Sequence, residues 1–62
     1  MNAAEMTPLV GIAEVARLLS VSKITIRRLV SGGELRCVRL SAGGPLRFDV
    51  ADVQKFIASH KQ

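Results

Sequence analysis

Gly11-Ile12-Ala13-Glu14-Val15-Ala16-Arg17-Leu18-Leu19-Ser20-Val21-Ser22-Lys23-Ile24-Thr25-Ile26-Arg27-Arg28-Leu29-Val30-Ser31-Gly32-Gly33 decides the fold. Ile12, Val15, Ala16, Leu18 and Leu19 recur at helical spacing with Glu14 and Arg17 on the outer side, which predicts a helix over residues 12–19. Gly11 stands at its N-cap, and Glu14 lies in the first turn, where the helix dipole favours an acid. Ser20-Val21-Ser22 interrupts the pattern, and the Ser22 hydroxyl can accept from the open amides of a second helix over residues 23–31. Gly32-Gly33 ends that helix, because glycine enters the left-handed region without a side-chain clash.

In the second helix Ile26, Leu29 and Val30 share one face. A step of about 100° per residue puts Ile24 and Arg28 nearly opposite them, with Arg27 and Ser31 alongside. Two short helices thus meet across a tight turn, and the outer face of the second is where a ligand is met.

Working outward from this core, Leu35-Arg36-Cys37-Val38-Arg39-Leu40 is rich in strand-compatible residues. Ser41-Ala42-Gly43-Gly44-Pro45 reads as a turn, and Leu46-Arg47-Phe48 resumes alternation, which predicts a β-hairpin. Its alternation does not fix the facing of Cys37 and Val38. Asp49 can cap a third helix that runs to about Ser59, with Asp52 in its first turn and Val50, Val53, Phe56 and Ile57 as its apolar stripe. Residues 1–8 read as a flexible N-terminal arm, residues 9–59 as the domain, and residues 60–62 as a frayed tail. Helix, turn, helix, hairpin and helix make a small α+β winged helix-turn-helix.

Sixty-two residues hold one small core, since a chain this short buries only about 60% of its unfolded surface. With 48% hydrophobic residues the composition is that of an ordered chain. One cysteine, Cys37, excludes an internal disulfide, and Cys37 with His60 cannot supply the four ligands of a structural zinc site. No cofactor or metal is therefore expected. No apolar run reaches the roughly 18–20 residues of a membrane span, and the first residues lack the pattern of a signal peptide, so the expected setting is cytoplasmic.

The net charge is +4, and it is unevenly spread. Residues 15–48 hold seven Lys and Arg against Glu34 alone, a local excess of +6. Such a block suits a polyanion. On the second helix, Lys23, Ile24, Arg27 and Arg28 suit the DNA major groove: arginine can fork onto guanine O6 and N7 or clamp a phosphate, and Ile24 can touch a thymine methyl. Amides near Ser22 and Lys23 can hold a phosphate. The hairpin adds Arg36, Arg39 and Arg47 around an uncharged tip small enough to approach a sugar-phosphate edge.

Other residues have plainer explanations. Arg17 reads as a solvent-facing side chain or a phosphate contact, and Arg36 can pair with Glu34 at the surface. Cys37 reads as a small semi-buried hydrophobe, and His60 as exposed and unconstrained. The spacing of Asp49 and Asp52 before an apolar stripe fits capping better than paired catalytic carboxylates, so no enzyme is expected. Phe48 and Phe56 fall at core positions, which argues against base stacking on single-stranded nucleic acid.

From about Leu9 to Ile57 the sequence resembles the excisionase-like winged-helix DNA-binding proteins, distant relatives of the MerR regulators. The residues that carry the resemblance are those of 12–19 with Val21-Ser22, then Thr25-Ile26-Arg27-Arg28-Leu29-Val30, Gly33-Glu34-Leu35, Val38-Arg39-Leu40, Arg47-Phe48, and Asp52-Val53 with Phe56-Ile57. The chain departs from that pattern at Gly11, where Thr is usual, at Ser20, where Gly is usual, and at Phe56, where Trp is common. Its wing tip also lacks the frequent arginines. The resemblance implies a recombination directionality factor that binds tandem sites, bends DNA and helps a tyrosine integrase excise a phage or integrative element. Self-association on DNA is expected because bending a duplex costs about 1–6 kcal/mol, much for one module this small. It places the DNA face on Ser22, Lys23, Thr25, Arg27 and Arg28, with wing contacts at Arg39 and Arg47. With Ile24 from the groove argument, these make eight expected double-stranded DNA contacts. A stand-alone transcriptional regulator of the same fold and a protein-interaction module with a basic face are the alternatives.

Overall fold

The first helix, α1 (Ile12–Leu19), follows Gly11, whose backbone is extended and whose carbonyl accepts the Val15 amide at 3.2 Å. The computed structural model describes residues 8–61. Residues 1–7, which carry nearly all of the expected N-terminal arm, and Gln62 lie outside the described residues.

Before α1 comes β1 (Leu9–Val10), a strand the sequence reading did not include. Two residues are too few to show alternation, so periodicity has nothing to register there. After α1 come α2 (Lys23–Ser31), β2 (Val38–Arg39), β3 (Leu46–Asp49) and α3 (Val50–His60). The three strands form an antiparallel sheet in the order β1-β3-β2. The chain is a small α+β winged helix-turn-helix.

Both helices of the pair end with the same hydrogen-bonded closure. At the end of α1 the Ser20 amide donates to Arg17 O at 3.2 Å and the Val21 amide to Ala16 O at 2.9 Å. At the end of α2 the Gly33 amide donates to Val30 O at 3.0 Å and the Glu34 amide to Leu29 O at 2.9 Å. Each closure is a Schellman motif with one residue in the left-handed region, Ser20 at φ 57° and Gly33 at φ 76°.

The hairpin is shorter than the sequence predicts. Leu35 is not in a strand: its amide also donates to Leu29 O, at 3.2 Å, and its side chain is 3% exposed in the core. The helix closure draws this residue inward before the strand begins, and an apolar residue beside a strand-like run looks like strand from sequence. The β2–β3 register pairs Val38 with Arg47 and Arg39 with Leu46, so Val38 and Arg47 share one sheet face. Cys37 is half-buried against the core.

Val15, Ala16, Ile26, Leu35, Phe48 and Val53 are buried, and they tie α1, α2, β3 and α3 into one cluster. Leu18, counted in the apolar face of α1, is 45% exposed. It projects about 110° from the centre of the face that Ile12, Val15, Ala16 and Leu19 define, at a step of about 100° per residue. Ile57 is exposed, while Val50 and Phe56 are half-buried. Asp49 ends β3, pairing with Leu9, and caps α3 by accepting the Ala51 amide on Oδ1 at 2.9 Å. The helix runs through His60, past the expected fraying point. His60 is exposed but engaged: its ring lies 4.2 Å from that of Phe56, and its Nδ1 is 2.8 Å from Phe56 O. Among the described residues no helix is long and apolar enough to cross a membrane.

Candidate nucleic-acid interface

Ser22 sets the start of α2. Its Oγ accepts the Thr25 amide at 3.1 Å and lies 3.0 Å from Thr25 Oγ1. Only one of the two hydroxyl protons is used between them, which leaves the other to donate outward. The first bond of the helix ladder runs from the Ile26 amide to Ser22 O at 3.2 Å, so the amides of Lys23 and Ile24 precede it at the positive end of the helix dipole. No acid occupies the first turn of α2.

The burial of α2 follows its 3.6-residue period. Ile26 is fully buried, Leu29 and Val30 are half-buried, and Lys23, Ile24, Arg27, Arg28 and Ser31 are exposed. Ile24, 60% exposed, is a β-branched apolar side chain facing solvent beside two arginines. A side chain of this kind can meet a thymine methyl in a major groove.

On the wing, the Gly44 amide donates to Ser41 O at 2.9 Å, closing a turn in which Gly43 takes φ 70°. The register places Arg39 and Arg47 on opposite sheet faces. Even so, both line the cleft of about 500 Å³ that opens between α2 and the wing, together with Arg27 and Ser31. Arg47 is half-buried and anchored: its Nη1 donates to Leu46 O at 2.9 Å and lies beside Gly11 at the start of α1. Arg39 is exposed.

Two further bases turn elsewhere. Arg17 donates to both carboxylate oxygens of Glu14, from Nε at 3.2 Å and from Nη2 at 2.6 Å. The hydrogen bond and the nearby positive charge hold the Glu14 carboxyl below its ordinary range. Arg17 therefore sits in an exposed ion pair on the outer side of α1. Arg36 lines a different cleft, with Lys55, Glu34, Asp52 and Phe56, and among the described residues it makes no ion pair with Glu34.

Sequence reasoning gathered Ser22, Lys23, Ile24, Thr25, Arg27 and Arg28 along the start and outer side of α2, where the structure holds them. Its site did not include Ser31, although the four-residue step from Arg27 puts the two on one face. Nor could it bring Arg27, Arg39 and Arg47 to one cleft, because that closeness depends on how the hairpin folds back beside α2.

No curated protein and no solved structure matches the chain. Residues 9–61 match the helix-turn-helix domain, over nearly the full length of the chain. With the helix pair, its capped second helix and the wing in place, that match makes the chain a member of the helix-turn-helix domain family, whose domains bind duplex DNA.

Proposed function

We propose that the chain is a sequence-specific, DNA-bending excisionase that assembles on adjacent sites and acts with a tyrosine integrase. The observation that carries the DNA reading is the outer face of α2, where exposed Ile24, Arg27 and Arg28 follow a capped helix start with no acid in its first turn. The resemblance to excisionase-like proteins supports the recombination role. Residues 9–59 are the working domain in this reading, and Ser22, Lys23, Ile24, Thr25, Arg27, Arg28, Arg39 and Arg47 meet the duplex. The action is architectural and non-catalytic.

A single module of this size covers only about 600–1,000 Å² of DNA. Bending a duplex costs about 1–6 kcal/mol, so neighbouring protomers share that cost by touching on DNA. The chain is then monomeric off DNA, and a tight dimer in sedimentation runs against this ordering.

The test is a gel-shift titration on circularly permuted fragments that carry the DNA flanking an integrase attachment site. A cooperative ladder whose mobility depends on site position is the expected result. One unbent complex at a promoter replaces the excision role with a regulatory one. Arg28→Ala tests the face itself: it costs about 1–3 kcal/mol and relaxes preference at one base position. Unchanged affinity and specificity remove Arg28 from the site.

A further inference from the structure

The cleft between α2 and the wing is unlike the rest of the basic surface. Three guanidinium-bearing side chains line it, Arg27 from α2, Arg39 from β2 and Arg47 from β3, and among the described residues no acidic side chain does. Ser31, Gly43 and Gly44 are also among its lining residues. Like charges gathered in a concave site repel one another with no internal compensation. An anion relieves that repulsion.

The geometry of α2 separates its two neighbouring arginines. At about 100° per residue, Arg28 lies some 160° from the centre of the buried face, beside Ile24 at the crest. Arg27 lies at about 100°, on the flank that turns to the wing with Ser31. Arg27 therefore faces the wing arginines, and Arg28 faces away from the protein. A base edge must be reached by the crest of a helix inserted in the groove, whereas the flank beside a wing meets the strand that borders the groove.

We infer that Arg27, Arg39 and Arg47 form a single clamp for a phosphodiester segment of one DNA strand, and that base reading on α2 is left to Ile24 and Arg28. This rests on the DNA-binding reading above and divides its labour: position and salt dependence come from the cleft, sequence preference from the crest. Arg47 is the fixed member, because its bond to Leu46 O holds one end of the guanidinium while four N–H donors stay available. Arg27 and Arg39 close from the two sides.

The test uses duplexes selected from a random pool by the wild-type chain, with affinity measured across a salt series. Arg27→Ala keeps the selected consensus and makes log Kd against log salt shallower by about 0.9, the loss of one phosphate contact. Arg27→Lys restores the slope, because a phosphate accepts a point charge, whereas Arg28→Lys does not restore the preference lost in Arg28→Ala, because a guanine edge wants the fork. Circular dichroism of each variant secures the fold. A neutral methylphosphonate at the phosphate that Arg27 meets shallows the wild-type slope, and shallows that of Arg27→Ala by less. A changed consensus for Arg27→Ala with an unchanged salt slope overturns the clamp and leaves the DNA-binding reading standing. A wild-type chain that selects no duplex, or that binds polyglutamate as tightly as duplex, overturns both.

Discussion

Two clefts of similar size, about 500 Å³ between α2 and the wing and about 410 Å³ between the 34–36 segment and α3, differ in how their charge is balanced. The first has three arginines and no acid among the described residues. The second sets Arg36 and Lys55 against Glu34 and Asp52. An even mixture of signs is what a solvated surface needs for solubility, and it gives a polyanion no net attraction. The comparison sorts the basic residues of 15–48 by what surrounds them: Arg17 is held by Glu14 and Arg36 is neighboured by acids, while Lys23, Arg27, Arg28, Arg39 and Arg47 form no ion pair among the described residues. Those five lie on α2 and the wing. Net charge counts nine bases, and local compensation separates these five from Arg17 and Arg36.

The comparison breaks most completely if the shared core is removed. Phe48, fully buried on β3, packs in the cluster that carries both the α2 and the α3 sides. Phe48→Ala costs about 3–5 kcal/mol. A domain of this length has about 3–9 kcal/mol in total, so both clefts should be lost together. Urea unfolding followed by far-ultraviolet dichroism measures this. A variant that keeps wild-type stability means that the two sides do not share this support.

Charge reversal is the next largest effect and separates the clefts. Arg39→Glu removes a charged hydrogen bond worth about 1.5–3 kcal/mol and adds repulsion, so duplex affinity falls by at least tenfold. Lys55→Glu, on the balanced side, changes affinity less than twofold at an ionic strength of about 0.15 M, where screening acts within about 8 Å. Fluorescence anisotropy on one labelled duplex reads both. Equal losses at the two positions erase the distinction, and a larger loss at Lys55 moves the interface to α3.

The α1–turn–α2 half was legible in the sequence, since Ile12, Val15, Ala16 and Leu19 on α1 and Ile26, Leu29 and Val30 on α2 follow the helical period, and Ser22 sits where a cap belongs. The exposed placement of Lys23, Ile24, Arg27 and Arg28 on α2 was legible for the same reason. What lay beyond reach was set by tertiary placement. Leu35 was drawn into the core by a helix closure rather than by a strand, β1 existed only through its pairing with β3, and the meeting of Arg27 with Arg39 and Arg47 required a folded wing. Arg17 shows the opposite case: the three-residue step from Glu14 marks an ion pair in any helix, yet only the 2.6 Å bond shows the arginine committed to it.

The wing tip offers a gentler change that should touch only one cleft. Gly43 has φ 70°, and a Cβ there meets nothing within 4 Å, so Gly43→Ala carries conformational cost without a clash. That cost is about 1–2 kcal/mol if the turn keeps its shape, and less if the tip relaxes and displaces the backbone that lines the cleft. Either way thermal stability falls or duplex affinity falls, while the α3 side is unaltered. Hydrogen exchange confined to residues 38–47 is the sharper readout, and exchange that rises equally in α3 shows instead that the wing and the closing helix move as one unit.

The smallest effect comes from the two helix closures, which share a hydrogen-bond pattern and differ in the residue that holds the left-handed position. Gly33 takes φ 76° with no side-chain cost, whereas Ser20 takes φ 57° with a Cβ that this region disfavours. Ser20→Gly removes that strain but adds backbone freedom to the unfolded chain, and these opposing terms leave a net gain of about 0.5–1 kcal/mol. Gly33→Ser reverses the exchange and should destabilise by a similar or larger amount. Ser20 and Gly33 line neither of the two clefts, so duplex affinity should stay at the wild-type value in Ser20→Gly while the urea midpoint rises. If affinity rises with the midpoint, the wild-type clefts are limited by partial unfolding rather than by their charge. If the midpoint falls, the Ser20 side chain supports the turn in a way that outweighs its backbone strain, and the two closures are alike only in their hydrogen bonds.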